Sequence, residues 1–113
     1  MKPVTFLGDS LSIIRDWDAS VRTEAGHQLK KVQNGHDPDN WKPMKTVGPG
    51  VREIRIRQSA GAFRVIYLAT LSDRVLVLHA LQKKTQRTPK KDIDLATRRL
   101  RVWKEYDDGN TNV

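Results

Sequence analysis

The hydrophobic positions in the first third of the chain predict a strand followed by two helices. Residues 2–7 alternate as a short strand that Gly8 ends, and Asp9 or Ser10 can cap the helix that follows. A kink or tight turn is expected near Asp18, ahead of a second helix. Apolar residues recur there at the spacing of one helix face: Val21, Ala25, Leu29 and Val32.

Residues 35–50 are rich in glycine and proline, so the sequence predicts a loop in this segment. Trp41 lies within it. We expect its large ring to pin the loop to the core, because a buried indole removes much apolar surface from water. The alternative is an exposed ring that stacks on nucleic-acid bases.

Three apolar or alternating segments follow, with short links typical of hairpins, and predict an antiparallel meander over residues 51–57, 62–69 and 74–81. The first alternates, so one of its faces carries three charged side chains: Glu53, Arg55 and Arg57. Arg64 interrupts the second segment, which is otherwise apolar. His79 interrupts the third, where alternation puts it on the face of Val75 and Val77. There a buried, hydrogen-bonded histidine is one interpretation and a functional histidine the other.

The dipeptide Thr88-Pro89 is typical of a helix start, with Thr88 as the cap. The buried stripe of this last helix is expected at Ile93, Ala96, Leu100 and Trp103. The arginines at 98, 99 and 101 are expected on its solvent-exposed face. The order β-α-α-β-β-β-α predicts an α+β fold, with a curved, mainly antiparallel sheet packed against helices. We expect one domain over residues 1–106 and a flexible tail over 107–113.

Composition adds a strong positive charge to this picture. The chain of 113 residues carries a net charge of +8 and contains no cysteine. Residues 51–104 hold fourteen Lys and Arg against four Asp and Glu, a net charge of +10. Such a one-sided field attracts polyanions, so nucleic acid or an acidic protein are the expected partners, and a merely soluble basic surface is the alternative. No membrane span or secretory signal is visible, and we expect a cytoplasmic protein.

Conventional catalytic motifs are missing from the sequence, which has no phosphate-binding loop, HExxH motif or nucleophile elbow. The three histidines lack the spacing of metal ligands, so neither a metal site nor a cofactor is predicted. What remains is a set of basic residues on neighbouring strands and beyond them, namely Arg55, Arg57, Arg64, Lys83, Lys84, Arg87, Lys90 and Lys91.

Basic groups that converge on one phosphate have a specific use in RNA cleavage. The 2′-hydroxyl must lose a proton, the leaving 5′-oxygen must gain one, and arginine can stabilise the charge on the phosphorane. His79 has the side chain whose usual pKa best suits the proton transfers. A lysine could also serve if neighbouring cations depress its pKa.

Three stretches of the chain, WKPMKTVGPGVREIRIR (41–57), FRVIYLA (63–69) and VLVLHALQKKTQRTPKKDIDLATRRL (75–100), resemble the phage-derived branch of the HigB-like toxins in the RelE/ParE superfamily. The segment KKTQRTPKKDIDLA is its most specific part. The resemblance implies a RelE-like domain that cuts mRNA in the ribosomal A site without a metal. It also implies a partner antitoxin with a helix-turn-helix domain, through which the complex binds operator DNA.

The resemblance also implies roles for individual residues. The family's site residues map to Arg55, Arg57 and Arg64 and, near the end of the last strand, to Lys83, Lys84, Thr85 and Arg87. Together with the chemistry of the basic set and of His79 described above, catalysis is expected from Arg64, Lys84, Arg87 and His79, and RNA binding from Arg55, Arg57, Lys83, Thr85, Lys90 and Lys91. Glu53 departs from the family pattern, in which a basic residue can stand at this position. Two other functions stay open: a non-catalytic inhibitor of DNA gyrase, as in the ParE branch, and a phage-derived nucleic-acid-binding regulatory module.

Overall fold

The computed structural model describes residues 1–84 and 87–111, with side chains up to residue 106. Five strands form one mixed sheet in the order β1-β5-β4-β3-β2, and three helices accompany it. The elements along the chain are β1 (Val4–Phe6), α1 (Ser10–Arg15), α2 (Ala19–Gln33), β2 (Trp41–Pro43), β3 (Val51–Gln58), β4 (Gly61–Leu68), β5 (Val75–Lys83) and α3 (Lys90–Thr111). The predicted α+β class is confirmed.

Helices α1 and α2 cover one face of the sheet, because their apolar stripes match the apolar side chains of the strands. The predicted α2 stripe is confirmed, with Val21 and Ala25 fully buried. Trp17 packs on Phe63 with ring centroids 4.9 Å apart. The strand residues in this core are Ile54, Ile56, Phe63, Val65, Tyr67, Val75, Val77 and Ala80.

Helix α3 packs on the opposite face and covers only part of it. Ala96 and Leu100 are buried there, as predicted, against apolar side chains of the middle strands: Ile66, Leu68, Leu76, Leu78 and Leu81. Ile93 and Trp103, which were also predicted to be buried, pack against this core but are only partly buried. The helix runs to Thr111, so the backbone of the first residues of the predicted tail is helical. The flexibility of residues 107–113 stays a prediction, and residues 112 and 113 lie outside the described residues.

The prediction of an uninterrupted loop over residues 35–50 was wrong. Residues Trp41–Pro43 form the edge strand β2, antiparallel to β3, with Trp41 opposite Ile54. The alternation of apolar and polar residues over three positions is too short to predict a strand. β2 forms because its backbone hydrogen-bonds to β3. Trp41 is partly buried, and the guanidinium of Arg52 lies 3.8 Å from its ring centroid.

The predicted orientation of His79 was also wrong. The β4–β5 register shifts between Ile66 and Tyr67, which pair with His79 and Val77 respectively. Leu78 is therefore the extra residue of a β-bulge, and strict alternation ends there. His79 consequently lies on the α3 side of the sheet, away from the face of Val77.

Within residues 1–84 and 87–111, no helix is both long and apolar enough to cross a bilayer.

Candidate functional site

Five basic side chains lie on the α3 side of the sheet, near the turn that joins β3 to β4. We call them the basic face: Lys42, Arg55, Arg57, Arg64 and Lys83. Arg55 lies directly opposite Arg64, while Arg57 and Lys83 both lie opposite Ala62. Directly paired residues point to the same side of a sheet, and diagonal neighbours lie roughly 7–8 Å apart. Arg64 on β4 is therefore surrounded by three cations, Arg55 and Arg57 on β3 and Lys83 on β5.

A buried carboxylate holds Arg64 in place. Glu53 is 2% exposed, and its Oε1 lies 3.3 Å from Nε of Arg64, whose side chain is 5% exposed. Thr88 Oγ1 donates a hydrogen bond of 2.5 Å to Glu53 Oε2, and Arg64 Nη1 donates to the carbonyl of Phe63 at 2.9 Å. Since a buried charge is tolerated only when paired, Glu53 lets this guanidinium stay charged within the sheet.

The Thr88 contact corrects the predicted cap. The hydroxyl of Thr88 is engaged with Glu53, and α3 begins at Lys90. The first helical hydrogen bonds go from the backbone N–H groups of Asp92 and Ile93 to the carbonyl of Pro89. Thr88 therefore fastens the start of α3 to the basic face.

Two cations of the basic face, Arg64 and Lys83, have a lowered pKa. Burial is the largest cause of the lowered pKa of Arg64, and Arg55 and Arg57 lower it further against the opposing effect of Glu53. Burial likewise lowers the pKa of Lys83, followed by the charge of Arg64. Arg64 remains charged, because the pKa of an arginine lies far above neutral pH to begin with. For Lys83, burial and the neighbouring cations bring the pKa of the ammonium closer to neutral pH, where a lysine can act in proton transfer.

A groove of about 380 Å³ opens beside the basic face, between β2 with the residues after it and the start of α3. Its exposed cations are Lys42, Lys45 and Arg87, and Thr88 also lines it. Met44 and Ile93 supply apolar wall. A groove lined by cations suits a phosphodiester backbone, whose oxygens accept hydrogen bonds from such groups.

His79 is buried and has a partner for each ring nitrogen. Nε2 lies 2.7 Å from Asp92 Oδ1, and Nδ1 lies 3.3 Å from Nη1 of Arg99. Arg99 also donates to the carbonyl of Leu78 at 3.0 Å and to Asp9 Oδ1 at 2.7 Å. The hydrogen-bonded interpretation of His79 is thus what the structure shows, and this network ties α3 to β5. Its catalytic role stays a prediction.

Two expectations about this network were wrong. Arg99 does not lie on the solvent-exposed face of α3, since it turns inward to His79. Asp9 occupies the cap position of α1 but makes no side-chain hydrogen bond to the helix, because its carboxylate pairs with Arg99 instead. The hydrogen bond from Arg99 lowers the pKa of Asp9.

The other predicted site residues lie where β5 ends and α3 begins. Lys84, Arg87, Lys90 and Lys91 are all exposed, and Thr85 lies outside the described residues. Sequence reasoning ranked Lys84 above Lys83, yet Lys83 is the lysine that shares the face of Arg64. It also overlooked Lys42, which lies opposite Glu53. The alternation of residues 41–43 was the only available signal for that position.

Among the described residues, no group of three or more histidine, aspartate and glutamate side chains could hold a metal ion. Comparison with protein families finds a match over residues 12–101, to the family described as phage-derived protein Gp49-like. That family is grouped with the RelE/HigB-like toxins. A search of curated proteins returns no match. Because the match spans most of the chain, this protein belongs to the phage-derived Gp49-like family.

Proposed function

We propose that this protein is the toxin of a type II toxin–antitoxin pair and an endoribonuclease that cleaves mRNA at the ribosome, in the cytoplasm. One observation carries the proposal: Arg64 is fixed by a buried carboxylate and surrounded by Arg55, Arg57 and Lys83 on a single face. The family match supports a toxin.

In the proposed reaction, the arginines of the basic face bind the phosphate that is to be cleaved. The ribose 2′-oxygen loses its proton and attacks phosphorus, and the bond to the 5′-oxygen breaks as that oxygen gains a proton. The products are a 2′,3′-cyclic phosphate and a 5′-hydroxyl. Preorganised donors aimed at the developing phosphorane charge are each worth about 10²–10³ in rate.

Lys83 is the proposed proton-transfer group. It lies diagonally from Arg64 on the same face, and its pKa is lowered by burial and by neighbouring cations. A positioned acid or base contributes about 10²–10⁴ in rate. Lys84, Arg87, Lys90 and Lys91 are proposed to bind the flanking RNA backbone.

The first test is cleavage of a defined mRNA by the purified protein, with and without translating ribosomes, mapped by primer extension. We expect discrete new ends within translated codons, carrying 5′-hydroxyl groups. A loss of gyrase supercoiling without RNA cleavage would instead identify a ParE-like inhibitor. RNA binding without either effect would identify a regulatory module.

Variants then locate the activity. Arg57→Gln removes an exposed cation of the basic face, and we expect cleavage to fall at least about tenfold. Lys30→Gln is the matched control, since it removes one exposed charge from α2 on the other side of the sheet. Lys83→Arg keeps the positive charge, but an arginine does not give up its proton near neutral pH. The variant should therefore reduce the cleavage rate by a factor of about 10²–10⁴. Full activity of Lys83→Arg would exclude Lys83 from proton transfer.

The antitoxin is proposed to bind elsewhere, on α3. A mainly apolar groove of about 370 Å³ lies between the end of β1 and α3, lined by Leu7, Val102, Trp103 and Tyr106 among others. Exposed Arg98, Arg101 and Lys104 on the same helix favour an acidic amphipathic segment. A helix-turn-helix domain of the antitoxin would carry operator binding. Val102→Asp should abolish inhibition by the product of a neighbouring gene while leaving RNA cleavage unchanged.

A further inference from the structure

A second polar cavity lies on the face of the sheet opposite the basic face. Arg52 and Tyr67 are directly opposite each other in β3 and β4, and they line it together with Lys2 and the turn after α2. The volume is about 220 Å³. Since Arg52 and Tyr67 are each offset by one residue from Glu53 and Ile66 on their strands, their side chains leave the sheet on the other side.

The hydroxyl of Tyr67 makes this cavity unusual. Tyr67 is 1% exposed, and among the described residues its O–H group has no hydrogen-bond acceptor of good geometry. Burial raises the pKa of this phenol, although a hydrogen bond from Arg52 to the phenol oxygen opposes the shift, so the group is a neutral O–H donor at pH 7. A buried donor without a partner is costly. Pairing with a ligand in the cavity would remove that cost.

The charges around the cavity favour an anion. Lys2 and Arg52 are cationic and Asp37 is the one acidic lining residue in the described part of the chain. Arg52 Nη1 donates to Asp37 Oδ1 at 2.8 Å, which engages one of the five N–H groups of the guanidinium. Lys2 Nζ donates to the carbonyls of Leu71 and Ala69 at 2.7 and 3.3 Å. These neutral carbonyls fix the ammonium without cancelling its charge.

We propose that this cavity binds a small oxyanion, of the size of phosphate or a simple carboxylate, between the Tyr67 hydroxyl, Arg52 and Lys2. The volume is below the roughly 300 Å³ at which typical ligand pockets begin, which favours a small ligand. The site is independent of the proposed RNA cleavage, because it uses none of the residues of the basic face.

The test is a titration of ¹⁵N-labelled protein with inorganic phosphate and, separately, with acetate, followed by amide NMR. We expect saturable shifts at Gly35, Gly50 and Thr70, which line the cavity. Phosphate bound to the basic face would instead shift amides near Arg55 and Lys83. Shifts with only one of the two anions would identify the class of oxyanion and support the proposal.

Tyr67→Phe is the decisive variant, because it removes only a hydroxyl whose hydrogen has no acceptor and should leave the fold intact. We expect it to weaken the anion affinity measured at Gly35 and Gly50 at least about tenfold, the effect of losing a hydrogen bond to a charged group. Arg57→Gln, on the basic face, should leave that affinity unchanged. Unchanged affinity in Tyr67→Phe, or no shift at the cavity with either anion, would overturn the proposal and leave a hydrated cavity.

Discussion

Replacement of Glu53 by glutamine tests how the centre of the basic face is held together. The change keeps the shape of the side chain and an acceptor for Thr88, but it leaves the buried guanidinium of Arg64 without its counter-ion. Removing one partner of a buried ion pair costs about 3–5 kcal/mol. Both side chains here are at most 5% exposed, so this range applies.

The geometry places the expected value at the low end of that range. The Nε–Oε1 distance of 3.3 Å is longer than the roughly 2.7–2.9 Å of a strong charge-assisted hydrogen bond. Arg64 Nε also lacks a hydrogen bond of good geometry within the described residues. We therefore expect Glu53→Gln to lower the free energy of unfolding by about 3 kcal/mol, a large share of the 5–15 kcal/mol typical of a domain.

Urea unfolding at pH 7 measures this loss as a lower midpoint at an unchanged slope. Glu105→Gln, at an exposed position of α3, is the matched control and should change stability by no more than about 0.5 kcal/mol. The double variant Glu53→Gln/Arg64→Met should cost less than the sum of its single variants, by about 1 kcal/mol or more. A loss below about 1 kcal/mol in Glu53→Gln, or strict additivity in the double variant, would refute the buried ion pair.

Three further predictions are also measured by urea unfolding. Gly26→Ala should raise stability by about 0.5–1 kcal/mol, since a Cβ in the middle of α2 meets no atom within 4 Å and alanine favours a helix. Gly35→Ala should instead lower stability by about 1 kcal/mol, because the backbone there has a φ of +83°, which disfavours any residue with a Cβ. Equal effects of the two would contradict these backbone conformations. Lys83→Met should raise stability at pH 7, because folding lowers the pKa of Lys83 and the charged ammonium therefore destabilises the folded state. The stability of the wild-type protein should rise with pH between the lowered pKa of the folded state and the unfolded value of ~10.4. Above the unfolded pKa, Lys83→Met should no longer be more stable than the wild type. His79→Ala should cost about 2–3 kcal/mol because Asp92 and Arg99 lose their shared partner, and a neutral effect would argue that this network does not hold α3 to the sheet.

The strongly periodic parts of the chain could be predicted from the sequence. The α2 stripe and the buried positions of α3 follow from apolar residues at helical spacing, and the β3 alternation placed Glu53, Arg55 and Arg57 on one face. These features are local, because the side-chain period of a helix or strand is set by its own backbone. The short edge strand and the bulge could not be read in this way, since both depend on hydrogen bonding to a neighbouring strand.

The sequence by itself determined the α+β class, the excess of positive charge in the second half and the basic residues from which a site could be built. Only the tertiary structure decided which of them meet. It turned His79 and Arg99 toward each other, chose Lys83 over Lys84 as the lysine beside Arg64, and buried Glu53 as the counter-ion of that arginine. The reason is physical: the pairing of strands and the packing of α3 fix distances between residues far apart in the chain, and the pKa of each group follows from those distances and from burial.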